Sequence, residues 1–586
     1  MKNIIGFENR DRAFRWFALM AIIVAGVFLV RFRFKGQEWN RTITSDGSGY
    51  YAYLPAFLLF HDPQYRFYLE LKNTYGISDL SENFLYTHEG RYFNRYFAGT
   101  SVAMAPFFGC ACLVQAIIGG PLDGHHPVFV FAVHLAGLFY ALAGLYALYV
   151  LLLRRASPGI ACLLVIILFF GTNLWNYAVN QPAYSHVYSF AFISFFLLAL
   201  QRFIERESSA RLAMLAACLG MIVLIRPSNV LVIGVVPVFF PSLQAFGSWM
   251  RRLVVSSRFY LMCIVFLAFP AFQSWLYYLQ CGAFWVDGYP YEHFNLLHPH
   301  LWEIWLHPRA GMLLYSPVLI FIFIGWFRWY SSHRYPAITW LAFTLAATWV
   351  ISSWWAWHYA GTIGMRAMTD HLSWLILPVA AIPRSNPSQW KKIALACIAL
   401  LLCMQGMLVN YQAFTGILPH DHMTGAKYTY LLGETRLSRT GFLDDRWYPN
   451  VPKTAIHTDA FTWSAQETLH ERPFAISSDG CIDTVKWKAP LERRVYIQFT
   501  GKVRFAKLSN ESCGELRFYS NGLEVQRHQI RFTEPSFEPA VWTKFNMCML
   551  QDFGDFPVDE VRIYTHLDQR SSAEISQCKL ILVGYK

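Results

Sequence analysis

Trp16–Val30 (WFALMAIIVAGVFLV) follows Arg10, Arg12 and Arg15 and runs into Arg31-Phe32-Arg33. An apolar run behind basic residues is either a removable leader or a first membrane span. No small-x-small cleavage site follows and arginines do, so the run reads as an uncleaved transmembrane helix. Its flanking charges nearly balance, so the orientation has to come from later loops. Just beyond it lies Thr44–Pro55 (TSDGSGYYAYLP), with one acid, Asp46, in an expected turn at Gly47 and Gly49, then three tyrosines and a proline.

Composition agrees with a chain built around such spans. Of its 586 residues, 55% are hydrophobic and 15% charged, and the mean hydropathy is +0.30. Soluble domains are less apolar and nearer 25% charged. Aromatics reach 17%, as expected where Trp and Tyr crowd membrane interfaces. The net charge of +12 does not indicate nucleic acid, because much of it falls in short loops between apolar runs. There it sets topology and faces anionic lipid. The cysteines form no metal pattern and read mostly as small apolar packers. Cys481, Cys513, Cys548 and Cys578 fall in a polar C-terminal region. Disulfides there fit a periplasmic location, and sequence does not choose among the three pairings.

The spans follow from apolar runs and loop charges. Phe129–Leu153, Ile160–Tyr177 and Val187–Leu200 are expected spans, and two short ones are expected in Leu212–Phe240, broken at Arg226-Pro227-Ser228. Phe259–Leu279, Met312–Phe327, Ala337–Ser352, Met368–Ile382 and Ile393–Leu408 complete about eleven. The basic loops 154–158, 202–211 and Arg251–Arg258 belong inside, and 119–126, without Lys or Arg, outside. Residues 33–126 show no clean 20-residue span. They read as one outer loop with amphipathic pieces, a turn at His88-Glu89-Gly90-Arg91, and Gly99–Ile118 lying along the outer face. The N-terminus is then inside and the C-terminus outside. From about 413 the texture changes to short alternating runs. Val495, Ile497 and Phe499 share one strand face, Asn521-Gly522 marks a hairpin, and Trp542–Leu550, Val561–Thr565 and Lys579–Val583 are further strands. An antiparallel, jelly-roll-like β-sandwich is expected over 461–586, after an irregular linker at 413–460.

Candidate chemistry centres on Asp46. A carboxylate outside a membrane helix can serve as general base; the plainer alternative is a helix cap near Gly47. Arg366 follows Trp354-Trp355-Ala356-Trp357-His358-Tyr359-Ala360-Gly361-Thr362-Ile363-Gly364-Met365. A charge at this depth is functional or paired, and Asp370, four residues on, is the local partner the sequence offers. Arg95, in Arg91-Tyr92-Phe93-Asn94-Arg95-Tyr96, and Arg226 suit a lipid phosphate or plain headgroup anchoring and snorkelling. Asp287, Glu292, His293, His298 and His300 read as solvated loop residues rather than metal ligands. The Trp354–Trp357 cluster suits a sugar platform or an interfacial belt equally.

These pieces, in order, resemble the GT-C glycosyltransferases. The matching stretches are Asp46–Tyr51, Asn94–Tyr96 with Gly99–Phe108, Gln181–His186 (QPAYSH), Arg226-Pro227-Ser228-Asn229, His307–Gly311 with Tyr315-Ser316-Pro317, and Trp354–Arg366. They span roughly 15–410 and look closest to the bacterial branch with the RgtA/B/C/D-like and protein O-mannosyltransferase-like enzymes. The resemblance implies a GT-C module over 1–412. Its donor would be a polyprenyl-phosphate-linked sugar, and its acceptor an envelope glycan, lipid or protein on the periplasmic side of the bacterial inner membrane. It implies inversion at the anomeric carbon, Asp46 as base, and Arg366, Arg95 and Arg226 on the donor phosphate. Tyr50, Tyr51, Asn94, Tyr184, His186, Trp357, His358 and Asp370 would line the cleft. Many relatives carry an acid doublet where this chain has Asp46-Gly47, which favours a reaction needing no metal or other cofactor, although a divalent metal is not thereby excluded.

Two other classes compete. A lipid-linked glycan transporter or flippase would carry charges at mid-membrane in broken, repeated helices; here they gather in outer loops and no internal repeat is seen. A non-catalytic envelope scaffold would use the C-terminal domain alone to bind glycan.

Overall fold

In the computed structural model the first helix runs from Lys2 to Phe28 and widens into a π-helical turn at Leu29–Arg33. The structure describes residues 2–35, 38–68, 71, 84–289, 292–359, 363–384 and 389–415, scattered positions from 417 to 435, and strands with adjoining residues between 461 and 585. The chain forms two compact units, Met1–Met423 and Thr424–Lys586. Most of the expected 413–460 linker lies outside the described residues.

Among the described residues of the first unit, seven helices are long and apolar enough to cross a membrane. They are Asp11–Arg33, Gly99–Ile118, Pro127–Leu152, His186–Glu205, Ser257–Cys281, Arg334–Ser352 and Ile393–Phe414. An eighth arises if Pro227–Phe239 and Leu243–Val255, bent by 118°, count as one span. This is the architecture of a multi-pass membrane protein, with fewer full-length helices than the eleven spans expected. Pro158–Gly171 has 14 residues and Phe321–Ser332 has 12, about 20 Å at 1.5 Å per residue against a hydrocarbon core of about 30 Å. Prolines account for other breaks. Arg226 is extended, with φ −150° and ψ 109°, between Ser209–Ile225 and the 3-10 helix Pro227–Phe239, as its Pro-Ser neighbours suggest. The expected Met312–Phe327 span breaks at Ser316-Pro317. The expected Met368–Ile382 span is the short turns Arg366–Thr369 and Leu372–Leu375 followed by the 3-10 helix Leu377–Arg384. The expected basic loop Arg251–Arg258 is largely helical, in Leu243–Val255 and the start of Ser257–Cys281.

Gly99–Ile118 corrects the sequence analysis in the other direction. It is a 20-residue helix that passes the length and composition test for a span, although Pro106 and its small residues disguise it in the sequence. Its first turn and the loop that follows it are both tied to the Asp46–Leu58 helix: the Ser101 hydroxyl donates to the Tyr50 carbonyl, and the Tyr51 hydroxyl donates to the Gly124 carbonyl at 2.5 Å.

The helix interior is tightly packed. His186–Glu205 lies between Pro127–Leu152 and Ser209–Ile225. At Gly144 an added Cβ would fall 2.8 Å from the Ala191 Cα, the close backbone approach that small residues permit in membrane helices. Tyr177, Tyr188, Phe190 and Trp374 are completely buried. Ser257–Cys281 instead shows Tyr260, Ile264 and Leu267 outward, a surface suited to lipid.

The expected turn at 88–91 closes a hairpin between β1 (Leu85–His88) and β2 (Arg91–Asn94), paired His88 to Arg91. Glu89 and Gly90 have φ of 48° and 78°, the two positive values of a type I′ turn. This hairpin sets the position of Tyr96.

The second unit contains β3 (Phe461–His470), β4 (Phe474–Ile476), β5 (Gly480–Leu491), β6 (Arg494–Lys507), β7 (Cys513–Ser520), β8 (Leu523–Arg531), β9 (Thr543–Asp552), β10 (Val558–His566) and β11 (Ser572–Tyr585). They form two antiparallel sheets, ordered β5-β10-β7-β8 and β3-β11-β6-β9, with β4 on β11. The expected hairpin has its register, Ser520 opposite Leu523. Leu516, Phe518, Val561 and Ile563 are buried. The side chains of Cys481, Cys513, Cys548 and Cys578 lie outside the described residues.

Candidate active site

Asp46 opens the Asp46–Leu58 helix, where its charge suits the helix N-terminus. It does not cap that helix. Ser45 holds the cap position with φ 51° and ψ −133° and makes no side-chain cap bond, a strained backbone worth about 1–3 kcal/mol. The Asp46 carboxylate turns away from its own backbone. Oδ2 lies 2.8 Å from Nη1 of Arg366, and Oδ1 accepts the Tyr96 hydroxyl at 2.8 Å. The aspartate side chain keeps 25% of its exposure and the arginine 14%.

Both neighbouring glycines serve this approach. A Cβ on Gly47 would sit 2.8 Å from the Ala183 Cβ, and one on Gly49 would sit 2.4 Å from the Tyr96 ring. Hence Tyr96 reaches Asp46 only because position 49 is bare, and an acid at position 47 would collide with Ala183. Tyr50 packs against Tyr96 with ring centroids 4.5 Å apart and the planes tilted by 43°. Tyr184 and Tyr359 flank the Arg366 guanidinium at 5.9 and 6.0 Å. Gly364 has φ +61° and faces Tyr315, so the approach to Arg366 uses glycine's left-handed freedom; Gly361 lies outside the described residues.

Asp370 joins a second cluster rather than Arg366. The helix the i,i+4 pairing requires is interrupted between the Arg366–Thr369 and Leu372–Leu375 turns. Asp370 is fully buried. Its Oδ1 lies 2.7 Å from His186 Nδ1; its Oδ2 accepts from Asn229 Nδ2 at 2.7 Å and lies 3.6 Å from Arg226 Nε. An ionised carboxylate only accepts, so His186 Nδ1 carries a proton. Arg226 Nη1 lies 3.5 Å from both ring nitrogens of His186, so the guanidinium sits against the imidazole and opposes a second proton on it; the ring is neutral, with its proton on Nδ1.

Charge at Asp46 follows from these contacts. Burial, the largest influence, pushes the carboxyl up; Arg366, the Tyr96 hydroxyl and the more distant Arg226 together pull it below the ordinary 3.8. Tyr184 is pushed up to about 12, by burial first and then by the nearby Asp46 carboxylate.

The remaining sequence candidates divide. Arg95 pairs with Glu292, and its guanidinium lies 4.0 Å from the Tyr289 ring and 4.9 Å from the Tyr86 ring. It fastens the loop that carries Glu292 to the hairpin, so Glu292 is not the solvated residue expected. The same loop is stitched to the end of Arg334–Ser352 by backbone bonds from Asn295 to Ser353 and from Trp355 to His293. Tyr51 packs on Phe108 and His125, in the core rather than in a cleft. Asn94 is completely buried and donates to the Gly49 carbonyl at 2.7 Å, a brace for the same helix start. Trp357 stacks on His300 at 5.4 Å, meets His307 at 5.2 Å and abuts His358 at 5.6 Å.

Sequence reasoning assigned no role to Tyr96 or Asn229, although both stand in the stretches quoted. Neither is charged and each acts through a distant partner, so only its place beside Arg95 or Arg226 could have flagged it. Among the described residues, no three His, Cys, Asp or Glu side chains converge as a metal site would require. Comparison of the chain with protein-family models, curated proteins and solved structures finds no match.

Proposed function

We propose that the chain is a GT-C-type membrane glycosyltransferase moving a sugar from a polyprenyl-phosphate donor to an envelope glycan, lipid or protein on the outer face. The observation that carries this reading is the contact between Asp46 and Arg366, 2.8 Å apart and partly exposed. It places a base and a phosphate-binding cation at one point. In the proposed step the acceptor hydroxyl attacks the anomeric carbon and its proton passes to Asp46. The bond from that carbon to the phosphate oxygen breaks, and its electron pair leaves with the phosphate, which becomes a monoester dianion beside Arg366. Attack opposite the leaving group inverts the centre. Arg226 adds positive charge from behind, and Tyr50 and Tyr184 shape the cleft. Arg95 acts at a distance, by holding the outer loop.

The Tyr51–Gly124 bond supports placing Asp46 on the same side as the uncharged 119–126 loop. The two C-terminal sheets support a β-sandwich that presents the acceptor. The test is mass spectrometry of envelope glycans from a strain lacking the gene. A glycan short of one sugar, restored by the wild-type chain and not by Asp46→Asn, is expected. An unchanged glycan profile, or full restoration by Asp46→Asn, would defeat the proposal.

A further inference from the structure

Asp46 and Arg366 meet with Nη1 of the guanidinium 2.8 Å from Oδ2, while Nε of Arg366 is buried with no hydrogen-bond partner. Arginine binds carboxylate or phosphate best through two parallel N–H groups, so this fork is incompletely used. A buried donor without a partner is costly, and a phosphate oxygen would satisfy it. A few ångströms away, Asp370 shows the opposite arrangement, with both oxygens satisfied by His186 and Asn229.

The proposed transfer, on which this inference rests, asks for two things that the resting contact sets against each other. A base needs proton affinity, which a paired guanidinium lowers. A phosphate clamp needs a cation not already spent. We propose that Arg366 changes partners: it holds Asp46 at rest, turns its fork to the phosphate when a prenyl-phosphate donor arrives, and so releases Asp46 to act as base.

The charges balance through the step. At rest Asp46 and Asp370 offset Arg366 and Arg226, with His186 neutral. A phosphodiester donor adds one negative charge. During transfer the phosphate gains a second as its bond to the sugar breaks, while Asp46 becomes neutral by taking the acceptor's proton. Total charge is unchanged, and Arg366 faces the growing charge just as its former partner loses its own. The Tyr184 and Tyr359 rings stay within about 6 Å of the guanidinium, so aromatic faces accompany the cation at rest.

The test is binding of a polyprenyl monophosphate to the purified full-length protein, for wild type, Asp46→Asn and Asp46→Asn/Arg366→Met. The double variant removes the ion pair as a unit, so it leaves no unpaired acid behind. With the competing carboxylate gone, Asp46→Asn is expected to bind about tenfold tighter than wild type, and the double variant at least tenfold weaker than Asp46→Asn, each tenfold being about 1.4 kcal/mol. Melting curves check that each variant folds, and Asp46→Ser replaces Asp46→Asn if that one does not. Binding by Asp46→Asn no tighter than wild type overturns the partner change and leaves the transferase reading standing. Equal binding by the single and double variants shows that Arg366 is not the clamp and overturns it too. No binding of the lipid phosphate by wild type overturns both.

Discussion

Asp46 and Asp370 each sit beside an arginine in the same unit, yet they are built for different work. Asp370 is fully buried and holds His186, Asn229 and Arg226 at once. Nothing on its carboxylate is left for a ligand. Asp46 keeps a quarter of its side-chain exposure, takes one contact from Arg366 and one from Tyr96, and stands on strained backbone at Ser45. A fully satisfied buried acid is costly to disturb and makes a good anchor. A half-satisfied, part-exposed one is cheap to disturb and can exchange partners. The comparison fits the proposed roles, structural for Asp370 and chemical for Asp46.

Changes at Asp370 should have the largest effect on stability. Asp370→Ala strands Arg226 beside a neutral His186, and thermal or denaturant unfolding should show a loss of about 3–5 kcal/mol. Near-normal unfolding would break the contrast at once. Arg366→Lys keeps the charge and removes the planar fork. Transfer should fall about 10- to 100-fold while the protein stays folded, whereas an unchanged rate would mean that a point charge suffices. Gly47→Ala forces the new methyl against Ala183, 2.8 Å away, and should cost about 1–3 kcal/mol, with a lower rate because Asp46 moves off Arg366. Normal stability would show that the 181–185 turn yields freely.

A finer distinction concerns pH. The groups facing Asp46 are Arg366, Tyr96, Tyr50, Tyr184, Arg226 and His186, and their net effect holds its carboxyl below 3.8. A carboxyl lowered in the folded state stays ionised further into acid. The base is therefore lost only as pH falls through that lowered value. The acid limb of kcat/KM for the donor should lie below the ordinary carboxylate range, and the limb of kcat, which reports the bound enzyme, should lie above it. Coincident limbs would mean that donor binding leaves Asp46 as it was.

Much of this was legible in the residues, and what was not has physical causes. Asp46 stands out because it is a lone acid after a span, among glycines and tyrosines. Arg226, placed at a Pro-Ser break, was equally visible. Pairing was not: local spacing offers Arg366 to Asp370, but the chain breaks its helix between them and each side chain finds a partner more than a hundred residues away. Spans were overcounted because apolar runs such as Met312–Phe327 and Met368–Ile382 do not reveal their 3-10 segments and breaks. Gly99–Ile118 was misjudged in the opposite sense, since glycine, alanine and proline dilute its apolar signal. In the C-terminal unit β6 to β11 show alternation, and so do β3 (Phe461, Trp463, Ala465, Leu469) and β5 (Val485, Trp487, Ala489, Leu491), which were not read as strands because Glu467 and Ile482-Asp483 interrupt the pattern.

The most direct test measures sugar transfer from a polyprenyl-phosphate donor by Asp46→Asn beside wild type, with melting followed on the same samples. The account predicts a rate about 100- to 10,000-fold lower, the range a positioned general base supplies, with folding intact. A folded Asp46→Asn protein that transfers sugar within about threefold of the wild-type rate, well outside that range, would contradict it.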